Sequence, residues 1–176
     1  MSQKRFISIA LVVLVAVLVG VTGYFVLNNR SATPTSNNNL PVTGTTPTDW
    51  QFIDAGFTLS LPPEWKFNKL QGTDSYVGEF VGDGVNLGFD YGRYSSPLTK
   101  DNDPHHIVTY ETIDGYKAKI VVPKVVGSGT TGVYFGDLGG GGDGIEKIKL
   151  QVSGYNLTAS QQEIALKIFH TLKFKR

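Results

Sequence analysis

The sequence predicts an α+β fold, an antiparallel sheet covered by a C-terminal amphipathic helix, carried behind one N-terminal transmembrane helix. Three observations predict it. Beyond Asp49, apolar and polar residues alternate through several short runs, the period of half-buried strands, and Asp-Gly at 83–84 and 114–115 breaks those runs as hairpin turns do. From Thr158 the period changes to that of a helix. Near the other end, residues 6–27 carry no charge at all.

That uncharged segment (FISIALVVLVAVLVGVTGYFVL) is 22 residues long. As a helix it would reach about 33 Å, enough for a hydrocarbon core of about 30 Å. A cleavable secretory signal is the competing reading, but it needs a shorter apolar region, about 7 to 15 residues, followed by small residues at the cut. Val21-Thr22-Gly23 fits that poorly, and the chain has no cysteine for lipid attachment. Lys4 and Arg5 precede the span while Arg30 alone follows it closely, so residues 1–5 are expected in the cytoplasm and the remainder outside. Tyr24 and Phe25 suit the outer aromatic belt. Ala16 and Gly20 have the spacing of closely packed membrane helices, yet an ordinary Ala and Gly in a Val-rich span explain it as well.

Residues 28–49 (NNRSATPTSNNNLPVTGTTPTD) are rich in Asn, Thr, Ser and Pro and poor in large apolar side chains. Such a stretch offers too little burial to offset its ordering entropy, which predicts a disordered linker with a typical reach of about 25 Å. Within it, Leu40-Pro41-Val42-Thr43-Gly44 spells LPxTG, the word sortase transpeptidases cut between Thr and Gly. A sorting signal is followed by a hydrophobic stretch and a basic tail, whereas here the apolar segment precedes the word and the folded domain follows it. A chance match in a Thr/Pro-rich linker is the favoured reading; cleavage would release the domain with Gly44 at its new N-terminus.

The extracytoplasmic domain spans residues 50–176. Phe57, Leu59 and Leu61 alternate with Thr58 and Ser60 before Pro62-Pro63 ends the run. Residues 75–81 and 85–91 flank Gly82-Asp83-Gly84 as one hairpin, and residues 107–113 and 116–122 flank Asp114-Gly115 as another. Residues 131–135 and 145–152 are two more expected strands, separated by a Gly-rich stretch. The helix is expected over residues 158–172, with Ile164, Ala165, Ile168, Phe169 and Leu172 on one face and Ser160 and Glu163 as its capping box. From Asp49 onward there are 13 Lys plus Arg against 15 Asp plus Glu, a net charge of −2 without a basic stripe. That charge pattern excludes nucleic acid as a partner. With no cysteine, stability rests on a packed core.

Three stretches carry a family resemblance: GFTLSLPPEWKF (56–67), IDGYKAKI (113–120) and ASQQEIALKIFHTLKF (159–174). They resemble the opening strand, middle hairpin and closing helix of the PsbP/Mog1-like superfamily. The resemblance implies an antiparallel sheet flanked by helices, used for binding or assembly and not for catalysis. One clear helix departs from that pattern and leaves the second covering layer open. No functional residue carries over.

Chemical motifs are sparse. Gly127-x-Gly129-x-x-Gly132 matches a dinucleotide fingerprint as a string, but a strand is expected next, where the fingerprint requires a helix. GGGGDG at 139–144 lacks the calcium-repeat spacing. Asp101, Asp103, His105 and His106 form the densest set of ligand-type side chains and are the candidate metal ligands; a Pro-containing loop facing water is the competing reading. There is no cysteine nucleophile, no G-x-S-x-G and no H-E-x-x-H, so no catalytic residue is assigned and no cofactor is called for. His170 lies within the expected helix and is read as a surface or boundary residue and not as a base. Most aromatic residues are expected in the core, with Tyr94 and Tyr155 as candidate exposed ligand-binding residues. Asn156-Leu157-Thr158 is a glycosylation sequon in which Thr158 can equally cap the helix. The sequence therefore predicts a single-pass membrane protein with a non-catalytic binding or assembly domain. An envelope glycan-binding module and an envelope hydrolase are the alternatives.

Overall fold

A computed structural model describes residues 47–140 and 147–175. The expected span at 6–27, the Leu40 to Gly44 word and nearly all of the linker lie outside these described residues. Among the described residues no helix is long and apolar enough to cross a membrane.

The strands are β1 (Gln51–Asp54), β2 (Thr58–Leu61), β3 (Lys66–Lys69), β4 (Tyr76–Gly82), β5 (Val85–Gly92), β6 (His106–Ile113), β7 (Tyr116–Pro123), β8 (Thr130–Phe135) and β9 (Lys149–Tyr155), followed by the helix α1 (Ala159–His170). β1 and β2 form a small sheet; the other strands form a seven-stranded sheet in the order β3-β4-β5-β9-β8-β7-β6. Every pairing is antiparallel. The expected α+β architecture, mostly antiparallel sheet with one C-terminal helix, is therefore what the described residues form.

Both expected hairpins close through two-residue turns. Gly82 pairs with Val85 and Ile113 with Tyr116. Asp83-Gly84 and Asp114-Gly115 all have positive φ, at 50° and 70° and at 50° and 85°. That is the turn whose twist matches paired strands, and Asp-Gly tolerates it. Gly82 thus belongs to β4, where the sequence had placed it in the turn.

Alternation sorts each strand's side chains between two faces. Leu87, Phe89, Ala118, Ile120, Val133, Phe135, Leu150 and Val152 point inward and are buried beneath α1 and the β1–β2 sheet. Aromatic rings fill this core: Phe57 meets Phe89 edge-on at 5.2 Å, and Phe80 stacks on Phe89 at 5.1 Å. At the other end Phe174 meets Phe135 at 4.8 Å.

The helix buries Ala165, Ile168 and Phe169 as expected, and Leu172 just beyond it, but also Gln162 and Leu166. Gln162 is tolerated in the interior because its amide donates to the buried Thr131 hydroxyl at 3.0 Å. Thr158 caps the helix, as the sequence allowed, but the capping box is not the expected Ser160 and Glu163. Thr158 and Gln161 form the capping box, displacing Ser160 and Glu163, because Thr158 takes the extended Ncap conformation with ψ of 168°. The last strand also differs: β9 begins at Lys149 and runs on to Tyr155, which pairs with Thr130. Upstream, Ile148 is instead bonded to Leu138 and Gly139 in the preceding loop.

Candidate functional site on the outer face

The face of the sheet opposite α1 is covered over only part of its width. Residues 93–105 leave the end of β5 and cross this face toward the far edge strand, β6. Ser95 starts the crossing: its hydroxyl donates to the Asp90 carbonyl at 2.7 Å and lies 3.4 Å from the Lys149 carbonyl. Leu98 then packs on Gly132 so closely that a Cβ there would lie 2.7 Å from the leucine Cδ1. Leu98 has φ of 68°, and the Thr99 amide donates to the Pro97 carbonyl at 2.8 Å around it, a tight turn in the sterically disfavoured left-handed region.

Beyond that turn the crossover meets β7 and β6 through charge. Lys119 is buried, and its ammonium donates to the Thr99 carbonyl and pairs with Asp101 at 2.8 Å. Asp101 also accepts from the Tyr110 hydroxyl at 2.9 Å. The Lys119 and Tyr110 hydrogen bonds hold the Asp101 carboxyl below the usual range, and the same contact raises the Tyr110 phenol. Asp103 accepts from the Thr99 hydroxyl and from the His105 amide at 2.7 Å, which lowers its carboxyl to about 2. Over this cluster lies a cavity of about 650 Å³, lined in part by Lys100, Asp101, Tyr110, Lys117 and Lys119, with the Lys117 ammonium 4.2 Å from the Tyr110 ring centre.

The four candidate metal ligands are thus divided. Asp101 turns to Lys119 and Tyr110. Asp103 and His106 face each other at 3.3 Å, out of line for a hydrogen bond, while the other ring nitrogen of His106 accepts from the Thr130 amide at 3.1 Å. His105 is exposed, and the bond it makes to Asp103 comes from its backbone. Among the described residues no group of three or more His, Cys, Asp or Glu is placed to hold a metal ion. Gly127 and Gly129 lie in the β7–β8 connection with positive φ and lead into β8, a strand. Asp143 lies outside the described residues. His170 sits half-buried at the end of α1, its Nδ1 2.6 Å from the Leu166 carbonyl and its Nε2 2.8 Å from Glu111, the latter without hydrogen-bond alignment.

The other half of the outer face, over β3, β4, β5 and β9, is bare of the crossover. It holds an open groove of about 630 Å³, lined among others by Asn86, Gly88, Gln151, Ser153 and Tyr155. These five project outward because their neighbours Leu87, Phe89, Leu150, Val152 and Gly154 point into the core. Tyr155 is 70 % exposed at the groove's rim, while Tyr94, 68 % exposed, lies in the crossover and lines neither cavity. The sequence singled out Tyr155 but not Asn86, Gly88, Gln151, Ser153 or Lys119. Strand alternation marks each of these as outward-facing; what it lacks is the pairing of β5 with β9 that brings them together.

Comparison with protein-family models and with curated proteins finds no match to this chain.

Proposed function

We propose that the chain is a single-pass membrane protein, N-terminus in the cytoplasm, whose domain of residues 50–176 acts outside as a non-catalytic binding or assembly module of the PsbP/Mog1-like kind. Residues 6–27 would be its membrane span and residues 28–49 its linker. The observation that supports a binding role is the engagement of the crossover's two carboxylates, Asp101 and Asp103. Catalytic acids, bases and nucleophiles need a reactive atom aimed at open space. Here Asp101 is engaged by Lys119 and Tyr110, and Asp103 by Thr99 and His105, so their polar atoms serve to pin the crossover to the sheet.

The topology is tested by labelling. The chain has no cysteine, so single-cysteine variants carry one reactive thiol each. Thr73 is exposed. In intact cells a membrane-impermeant maleimide is expected to label Thr73→Cys and spare Ser2→Cys until the cells are lysed. Labelling of Ser2→Cys alone would reverse the orientation and remove the extracytoplasmic reading.

A further inference from the structure

We infer that the bare groove over β4, β5 and β9 is a binding site for a neutral oligosaccharide, with Tyr155 as its aromatic platform. The inference rests on the reading of the domain as a binding module and names its ligand class.

The floor is shaped for occupancy. A Cβ at Gly88 would meet nothing within 4 Å, so the strand is open to solvent where a side chain would otherwise fill it. The volume of about 630 Å³ falls in the range of small-ligand sites. Around that floor stand carboxamides and a hydroxyl, from Asn86, Gln151 and Ser153, beside the apolar side chains of Leu70, Val77 and Leu157, a mixture that suits a sugar's C–H and O–H faces. A carboxamide offers donors and an acceptor on one group, which is what a sugar hydroxyl, itself donor and acceptor, requires.

Each other ligand class meets a physical obstacle. An anion finds no cation in the lining, and Glu79 projects from the same face, held by Asn68 at 3.1 Å and Asn86 at 2.6 Å. A cation finds no ionisable lining group except the Tyr155 phenol, and the carboxylate of the neighbouring Glu79 is already held by the carboxamides of Asn68 and Asn86. An apolar ligand would desolvate the amides without pairing them. An extended peptide that binds by adding a strand would go to the free edge of β3, outside the groove, because the strands that line it, β4, β5 and β9, are each paired on both sides. A neutral pyranose escapes all of these. Its C–H face can lie on an aromatic ring while its hydroxyls reach the amides.

Tyr155 is held in place for this. The next residue, Asn156, has φ of 54°; its amide donates to the Gly129 carbonyl at 2.8 Å, and its side-chain oxygen accepts from the Gly129 amide at 2.9 Å. The backbone that carries the ring is therefore fixed at a strand end, with the ring itself free to settle on a sugar face.

The test is calorimetric titration of the full chain in detergent with two neutral probes, cellotetraose and the β-1,4-linked tetramer of N-acetylglucosamine, and one anionic comparator, tetragalacturonate. Probe is carried to about 10 mM, where a Kd near 1 mM is resolved. At least one neutral probe is expected to bind saturably. Tyr155→Ala is expected to weaken it about tenfold or more. Gly88→Gln, which has room to fold, is expected to abolish it, and Tyr94→Ala to leave it unchanged, with thermal melts confirming that each variant folds. Failure of both neutral probes, equal or tighter binding of tetragalacturonate, or binding that survives Tyr155→Ala and Gly88→Gln would overturn the inference. External labelling of Thr73→Cys together with no sugar binding would sink only the ligand assignment. Saturable sugar binding with labelling of Ser2→Cys alone would sink only the extracytoplasmic reading.

Discussion

At the scale of single residues, Asp103 shows how one carboxylate fixes a loop. Thr99 and the His105 amide bond to its charged form and lower its pKa from 3.8 to about 2. A carboxyl that ionises more readily in the folded state contributes stability above its unfolded pKa and loses it as pH falls through the folded one. In Asp103→Asn that contribution is missing at every pH. Wild type should therefore exceed the variant in stability above pH 4, and the gap should close toward pH 2. Urea unfolding at stepped pH measures it; a gap undiminished at pH 2 would assign the effect to the shape of the side chain and not to its charge. The neighbouring strain at Leu98 is of another kind. Its left-handed φ is held by packing on Gly132 and by the pinning of Thr99 on either side of the lysine contact, so the turn depends on the same bonds that Asp101 and Asp103 supply.

At the scale of elements, α1 has its cap at Thr158, two residues before the Ser160 of the expected capping box. Thr158 satisfies the free Gln161 amide while the Gln161 side chain accepts from the Thr158 amide at 3.0 Å. Thr158→Ala should cost about 1 kcal/mol and Ser160→Ala less than about 0.5, read as shifts in urea midpoint. Equal losses would place the cap at Ser160. Two overlapping S/T-x-x-E/Q words stood in the same six residues, 158–163, and the choice between them was made by the chain's direction as it leaves β9, which no local pattern records. The hairpins were legible because Asp83-Gly84 and Asp114-Gly115 specify their turns locally. β3 was not, since Lys66-Phe67-Asn68-Lys69 has one apolar residue and is a strand because β4 pairs with it. Tyr155 could be singled out from its place at a strand end. The groove beside it could not, because Gly88 pairs with Ser153 across 65 positions of sequence.

At the scale of the whole domain, the sheet is asymmetrically covered, and its dynamics should follow. β9 lies between β5 and β8, bonded on both sides, with Leu150 and Val152 fully buried on the helix face. The crossover at 93–105 contributes no strand and is attached to the outer face at separate points, by Ser95, Leu98, Thr99 and the Lys119–Asp101 pair. Amides that exchange only on global unfolding belong to elements buried and bonded on both sides, whereas a segment held by a few bonds over solvent opens locally at lower cost. Hydrogen exchange followed by mass spectrometry should therefore show protection in β9 set by global stability and earlier exchange through 93–105, with β3, an edge strand of four residues, between them. Loss of the Lys119–Asp101 pair in Asp101→Asn should accelerate exchange in the crossover and leave β9 nearly unchanged, because the pair lies on the opposite side of the sheet from the helix core. Uniform acceleration in both would mean that the crossover is part of the cooperative core, a second layer in its own right.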